Sequence, residues 1–139
     1  MATKKKRSKL LIFWLNIIIS VASLGGFILI ENNWKQEVNM YITVANYTQY
    51  NASADALYFG TVPPGGVSMR MLFVNNLYKQ PINVTVAALG DFSGWTEFSQ
   101  SHFPLEIGEN KTINITVNIP KSAVFANYTG RTLVSFKKT

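Results

Sequence analysis

The sequence predicts an all-β domain, an antiparallel β-sandwich of seven or eight short strands, preceded by one N-terminal transmembrane α-helix. Three observations point there. Residues 10–30, LLIFWLNIIISVASLGGFILI, are apolar and uncharged. Past them the pattern changes to alternation with period two. Turn signals then recur at about 8 to 12 residue intervals, the spacing of an antiparallel sandwich.

The elements follow in chain order. Residues 1–9 are a basic cytoplasmic tail, in which Lys4, Lys5, Lys6, Arg7 and Lys9 supply five of the thirteen basic residues. Residues 10–30 are long enough, at about 1.5 Å per residue, to cross a bilayer core of roughly 30 Å. The positive-inside rule places the N-terminus in the cytoplasm and the C-terminal domain outside the cell membrane. Trp14 and Trp34 stand near the two ends, where indoles favour the membrane–water boundary. Ser20-Val21-Ala22 resembles a signal-peptidase site, but the apolar run continues well past Ala22, so an uncleaved signal-anchor is expected. Asn16, Ser20 and Ser23 fall on one helix face, and Ala22 and Gly26 form a small-xxx-small pair beside it. Such a face suits contact with another membrane helix.

Residues 31–37 read as a juxtamembrane linker, and 38–139 as the extracytoplasmic sandwich. Candidate strands are 38–44, 56–61, 67–75, 81–89, 95–99, 103–107, 112–119 and 132–137. Pro63-Pro64-Gly65-Gly66, Asn75-Asn76, Gly90-Asp91 and Gly108-Glu109 mark turns between them. No segment after Ile30 carries a helical period. Two strands alternate cleanly. Ile82, Val84 and Val86 oppose Asn83 and Thr85, and Ile113, Ile115, Val117 and Ile119 oppose a row of Asn and Thr. A sheet with one face on a core and one in water reads this way.

Composition narrows the function. A chain of 139 residues that is 47% hydrophobic can bury one core and is too short for two. The net charge of +6 lies mostly in the tail, so the body is near neutral and offers no phosphate-binding surface for nucleic acid. There is no cysteine, which excludes disulfides and thiol chemistry. His102 is the lone histidine and the carboxylates are scattered, so neither a catalytic constellation nor a metal or cofactor site is expected.

The strongest counted motif is Asn-x-Ser/Thr. Asn46, Asn51, Asn83, Asn110, Asn114 and Asn127 each begin one. Thirteen Asn and twenty-one Ser plus Thr would give about two by chance, so covalent N-linked glycans are expected outside the membrane. Many such motifs without cysteine suit an archaeal envelope. Of the aromatics, Trp95 and Tyr58 are expected in the core. Tyr47 and Tyr50, in the polar loop NYTQYNAS, are the candidates for surface contact.

The series FGTVPPGG, RMLFVNN, PINVTVAALG, FPLEIGENKTINITVNIP and ANYTG resembles the Ig-like sandwich domains of archaeal and bacterial surface proteins. These are similar in turn to major-sperm-protein-like and periplasmic-chaperone-like sandwiches. The matching positions are Val74-Asn75, Pro81 to Val86, Leu105 to Glu109, Ile113 to Pro120 and Tyr128-Thr129-Gly130, within residues 57–136. One membrane helix followed by a sandwich is also similar to the archaellum stator subunits. The resemblance implies an Ig-like fold and leaves the role open, because this fold hosts many. The expected role is a non-catalytic single-span envelope protein whose glycosylated ectodomain binds protein. It would be an accessory or structural subunit of a larger membrane complex. The partners are the lipid bilayer and other membrane-protein subunits or surface-layer protein. The alternatives are a stator-like anchor to the surface layer and a glycan-binding module.

Overall fold

The computed structural model describes residues 34–49 and 55–139. The tail, the apolar stretch with Asn16, Ser20, Ala22, Ser23 and Gly26, and Asn51 with Tyr50 lie outside the described residues. Among the described residues no helix is long and apolar enough to cross a membrane.

The described residues form eight strands: β1 (Trp34–Val44), β2 (Leu57–Val62), β3 (Val67–Asn75), β4 (Ile82–Gly90), β5 (Thr96–Phe98), β6 (His102–Leu105), β7 (Asn110–Asn118) and β8 (Ala126–Lys138). They make two sheets, ordered β2-β1-β8-β4-β6 and β3-β7-β5. This is the two-layered all-β architecture expected, with four differences. The last strand, expected over 132–137, begins at Ala126. β1 begins at Trp34, so residues 34–37 are strand and not linker; there they pair with 133–136 of β8. Trp95 closes a short 3-10 turn, Ser93–Trp95, ahead of β5. The β1–β2 pair is parallel, whereas the expected sandwich was antiparallel throughout. Parallel neighbours need a crossover of about a dozen residues, and the span 45–56 supplies it.

The core lies between the sheets. Met40, Ile42, Ile82, Val84, Phe103 and Leu105 reach it from the five-stranded sheet, and Leu72, Ile113, Ile115 and Val117 from the other. A fully buried side chain of this kind stabilises by about 1.5–3 kcal/mol relative to exposure. With no disulfide, this burial and the polar clamps at its edges hold the sheets together.

The main clamp is Asn76, which is 1% exposed. It follows Leu72 and Val74 on the inward phase of β3. The amide Nδ2 donates to the carbonyls of Gln80 (2.9 Å), Glu106 (2.9 Å) and Leu105 (3.2 Å). Two hydrogens serve three acceptors, so one is shared. Oδ1 accepts the Tyr78 N–H at 2.9 Å. The Asn76 backbone N–H donates to Glu109 O, and Gly108 N–H donates back to Asn76 O. The facing turn is closed by Glu109 N–H on Glu106 O and needs the positive φ of Gly108, 72°, at its third position. The chain passes between sheets from β3 to β4 and from β6 to β7, so Asn76 ties two crossovers to each other. Tyr78, held by Oδ1, stacks on Trp34 at 4.2 Å and leans on Phe136, which adds the first and last strands.

Asn76→Ala leaves the buried Leu105 carbonyl and the part-buried Gln80 and Glu106 carbonyls without this donor. The expected loss is about 2–4 kcal/mol, read from urea unfolding of the full chain. Its exposed neighbour is the control: Asn75→Ala should stay within about 0.5 kcal/mol of wild type. Ile115→Ala, at the 0% exposed centre of β7, should cost about 2–5 kcal/mol by the same assay.

Candidate functional site

Two outward surfaces stand out, one on each sheet. The first is the face of β3 and β7. On β3 the inward set is Ser68, Arg70, Leu72 and Val74, and the outward set is Val67, Met69, Met71 and Phe73. The outward four are 53–74% exposed. Simple alternation would turn this fully apolar set inward and leave Ser68 and Arg70 in water. The partner strand decides otherwise. Arg70 pairs with Ile115 and Leu72 with Ile113, and residues directly opposite share a face. The unbroken Ile-Val row of β7 fixes the core side, and β3 follows it.

Beside the apolar stripe runs a polar one. Asn118, Thr116, Asn114 and Thr112 of β7 stand opposite Val67, Met69, Met71 and Phe73. No residue of either outward row is charged; Glu97 of β5, opposite Thr116, supplies the first carboxylate beyond them. β3 is an edge strand, and its edge is guarded. Arg70, charged on an inward position, bends its guanidinium to the Met69 carbonyl at 2.8 Å. Such a residue discourages strand-by-strand pairing, so the open apolar surface is the face and not the edge.

The second surface is a groove of about 520 Å³ on the outer face of β1, β2 and β8. Tyr41 and Tyr58, paired across the parallel strands, stack at 5.1 Å with their planes 21° apart. Thr43 Oγ1 donates to Asn127 Oδ1 at 2.7 Å on the groove wall. The loop after β1 returns over β2: Thr61 N–H donates to Gln49 O and Gln49 N–H to Thr61 O. This brings Tyr47, 57% exposed, to the groove. A bulge in β2 makes the return fit. Three steps in β2, Tyr58 to Thr61, oppose two in β1, Tyr41 to Thr43, and Gly60 takes a φ of 79° that an L side chain resists. Past the bulge the phase shifts, so Val62 joins Phe59 in the core.

The sequence-based candidates are placed as follows. Asn46, Asn110, Asn114 and Asn127 are exposed, and Asn83 is half-buried between Pro104 and Lys137. Asn110 and Asn114 share the outward row of β7, while Asn127 lines the tyrosine groove. Tyr47 meets Tyr41 and Tyr58 there, so Tyr58 is not the core residue expected. Trp95 is partly buried against the core, edge-on to Tyr128 at 4.9 Å. His102 is exposed and bonded to Thr85 at 2.9 Å. Among the described residues no group of three or more His, Asp and Glu could hold a metal ion. The β3 stripe and Tyr41 had no sequence signal of function, because apolar and aromatic strand residues usually mean core.

Comparison with protein-family models, with curated proteins and with solved structures found no match to this chain.

Proposed function

We propose that this is a non-catalytic, single-span envelope protein whose β-sandwich, Ig-like in kind, is a protein-interaction module. It serves as an accessory or structural subunit of a larger membrane complex. The observation that carries this reading is the outward stripe Val67, Met69, Met71 and Phe73. Six steps of strand give it a length of about 20 Å. Water contact over such a stripe is unfavourable, and apolar surface with polar flanks is what protein partners cover. The partner should be neutral here, offering apolar side chains to β3 and amide or hydroxyl groups to the Asn/Thr row. A stator-like anchor would use the same face against surface-layer protein.

Glycans bear on this directly. Asn114 is the cross-strand partner of Met71, so a glycan on it and a protein seated on the stripe exclude one another. The reading therefore has glycans at Asn46 and Asn127, on the other sheet and its loop, and a bare Asn114 in the complex.

The test is purification of the tagged full chain from its own membranes in mild detergent, with mass spectrometry of bound chains and of the acceptor asparagines. The combined variant Met69→Ser, Met71→Ser and Phe73→Ser should unfold within a few degrees of wild type, since these side chains lie outside the core. It should nevertheless lose the co-purifying chains. Retention of the same chains by the folded variant would end the assignment to this face. Loss of partners on Asn16→Leu as well would place part of the contact in the apolar segment.

The tyrosine groove favours a second reading, a glycan-binding module. Aromatic rings with a polar rim suit the apolar faces and hydroxyls of a sugar, and Thr43, Gln49, Thr61 and Thr129 line the groove with the tyrosines. On immobilised glycans this reading expects several-fold weaker binding by Tyr47→Ala than by wild type. Equal binding, or none by either chain, would dismiss it.

A further inference from the structure

One end of the domain collects exposed apolar residues and lysines that neither sheet face uses. Strand pairing defines it. Trp34 opposes Phe136, Ile82 opposes both Lys138 and Leu105, and Asn75 opposes Asn110. The start of β1, the end of β8 and both clamped crossovers thus lie together.

Leu77 is 83% exposed and Ile107 is 62% exposed at this end. Each is the chain neighbour of a residue in the backbone bonds between Asn76 and the 106–109 turn. They are displayed by a locked scaffold and not by a loose loop. Around them stand Lys35, Lys79, Lys137 and Lys138, all exposed, and half-buried Lys111. Lys138 lies over the Trp34 ring at 5.3 Å and Lys111 over Phe103 at 4.9 Å. Opposing carboxylates are Glu106 and Glu109 in the turn, and Glu37, which pairs with Arg131 at 3.3 Å. Five lysines against the two turn carboxylates leave this end positive. The opposite end carries Asp91 and Glu97 with Lys121.

We propose that this end is a lipid-contacting surface: Leu77 and Ile107 enter the interfacial layer of a bilayer while the surrounding lysines meet anionic headgroups. Apolar tips ringed by lysines, beside a Trp–Tyr stack, match the chemistry of that layer. Strand β1 starts at this same end, at Trp34, which follows the stretch 10–30 by four residues in the sequence. The inference rests on the reading of 10–30 as a membrane segment.

The chain has no cysteine, so single-cysteine variants carry one probe each. The full chain is reconstituted in phosphatidylcholine vesicles with and without phosphatidylglycerol. An environment-sensitive fluorophore is attached to Leu77→Cys, Ile107→Cys or, at the opposite end, Val124→Cys. With phosphatidylglycerol, the probes at 77 and 107 should emit to the blue of the probe at 124. A headgroup-attached nitroxide lipid should quench them several-fold more strongly. Lys79→Glu with Lys137→Glu and Lys138→Glu should remove most of that difference. Equal quenching at 77, 107 and 124 in a chain that floats with vesicles after alkaline washing would overturn the lipid contact alone. A chain that fails to float would overturn the membrane segment and this inference together.

Discussion

A sandwich without disulfides must fix the position of one sheet against the other, and here the buried Asn76 amide does so at the crossovers, with the buried Ser68 hydroxyl of β3 on the Phe59 carbonyl of β2 as a second tie. Burial alone is nearly indifferent to small sliding of two greasy faces, because the hydrophobic effect has no direction. Hydrogen bonds are directional, and an unmet carbonyl inside a protein is costly. Asn76 sits where the chain crosses from β3 to β4 and bonds to the chain crossing from β6 to β7. Moving either crossover breaks several bonds at once. Through Tyr78 the same side chain reaches Trp34 and Phe136, the beginning and end of the folded strand order. The conformations of Leu77 and Ile107, and the seat of the Trp34 ring, descend from it.

Much of this was legible in the sequence. All eight strands were expected, but β1 starts four residues and β8 six residues before the expected positions. β7 read correctly to the face, because its Ile and Val never break phase. β3 was different. Its apolar residues occupy both phases, and the sum favours the wrong one. Only pairing with β7, a contact across about 40 residues of chain, settles which phase is inside. Asn76 was legible only as half of a turn signal. Its continuation of the Leu72, Val74 phase was the available clue, but Asn is so common in turns that phase carries little weight there. The parallel β1–β2 pair and the bulge at Gly60 were also out of reach, since strand direction leaves no local trace.

The surfaces divide the molecule by chemistry. The five-stranded sheet presents tyrosines, hydroxyls and the Asn127 amide. The three-stranded sheet presents methionine, phenylalanine and valine beside amides, without charge. The end where β1 begins presents lysines around two aliphatic tips. A small domain with three such surfaces is compatible with a protein-interaction module. The Asn/Thr row of β7 is first the wet side of a strand, and its place beside Met71 makes it the flank of an exposed apolar stripe.

Amide hydrogen exchange tests the clamp most directly. Tyr78, Gly108 and Asn76 lie in turns, whose amides ordinarily exchange through local opening. If Asn76 joins the crossovers, these three N–H groups should exchange only through global unfolding, as slowly as Ile115 at the centre of β7. Fast exchange at Tyr78 and Gly108 while Ile115 stays protected would contradict the clamp and the positions derived from it.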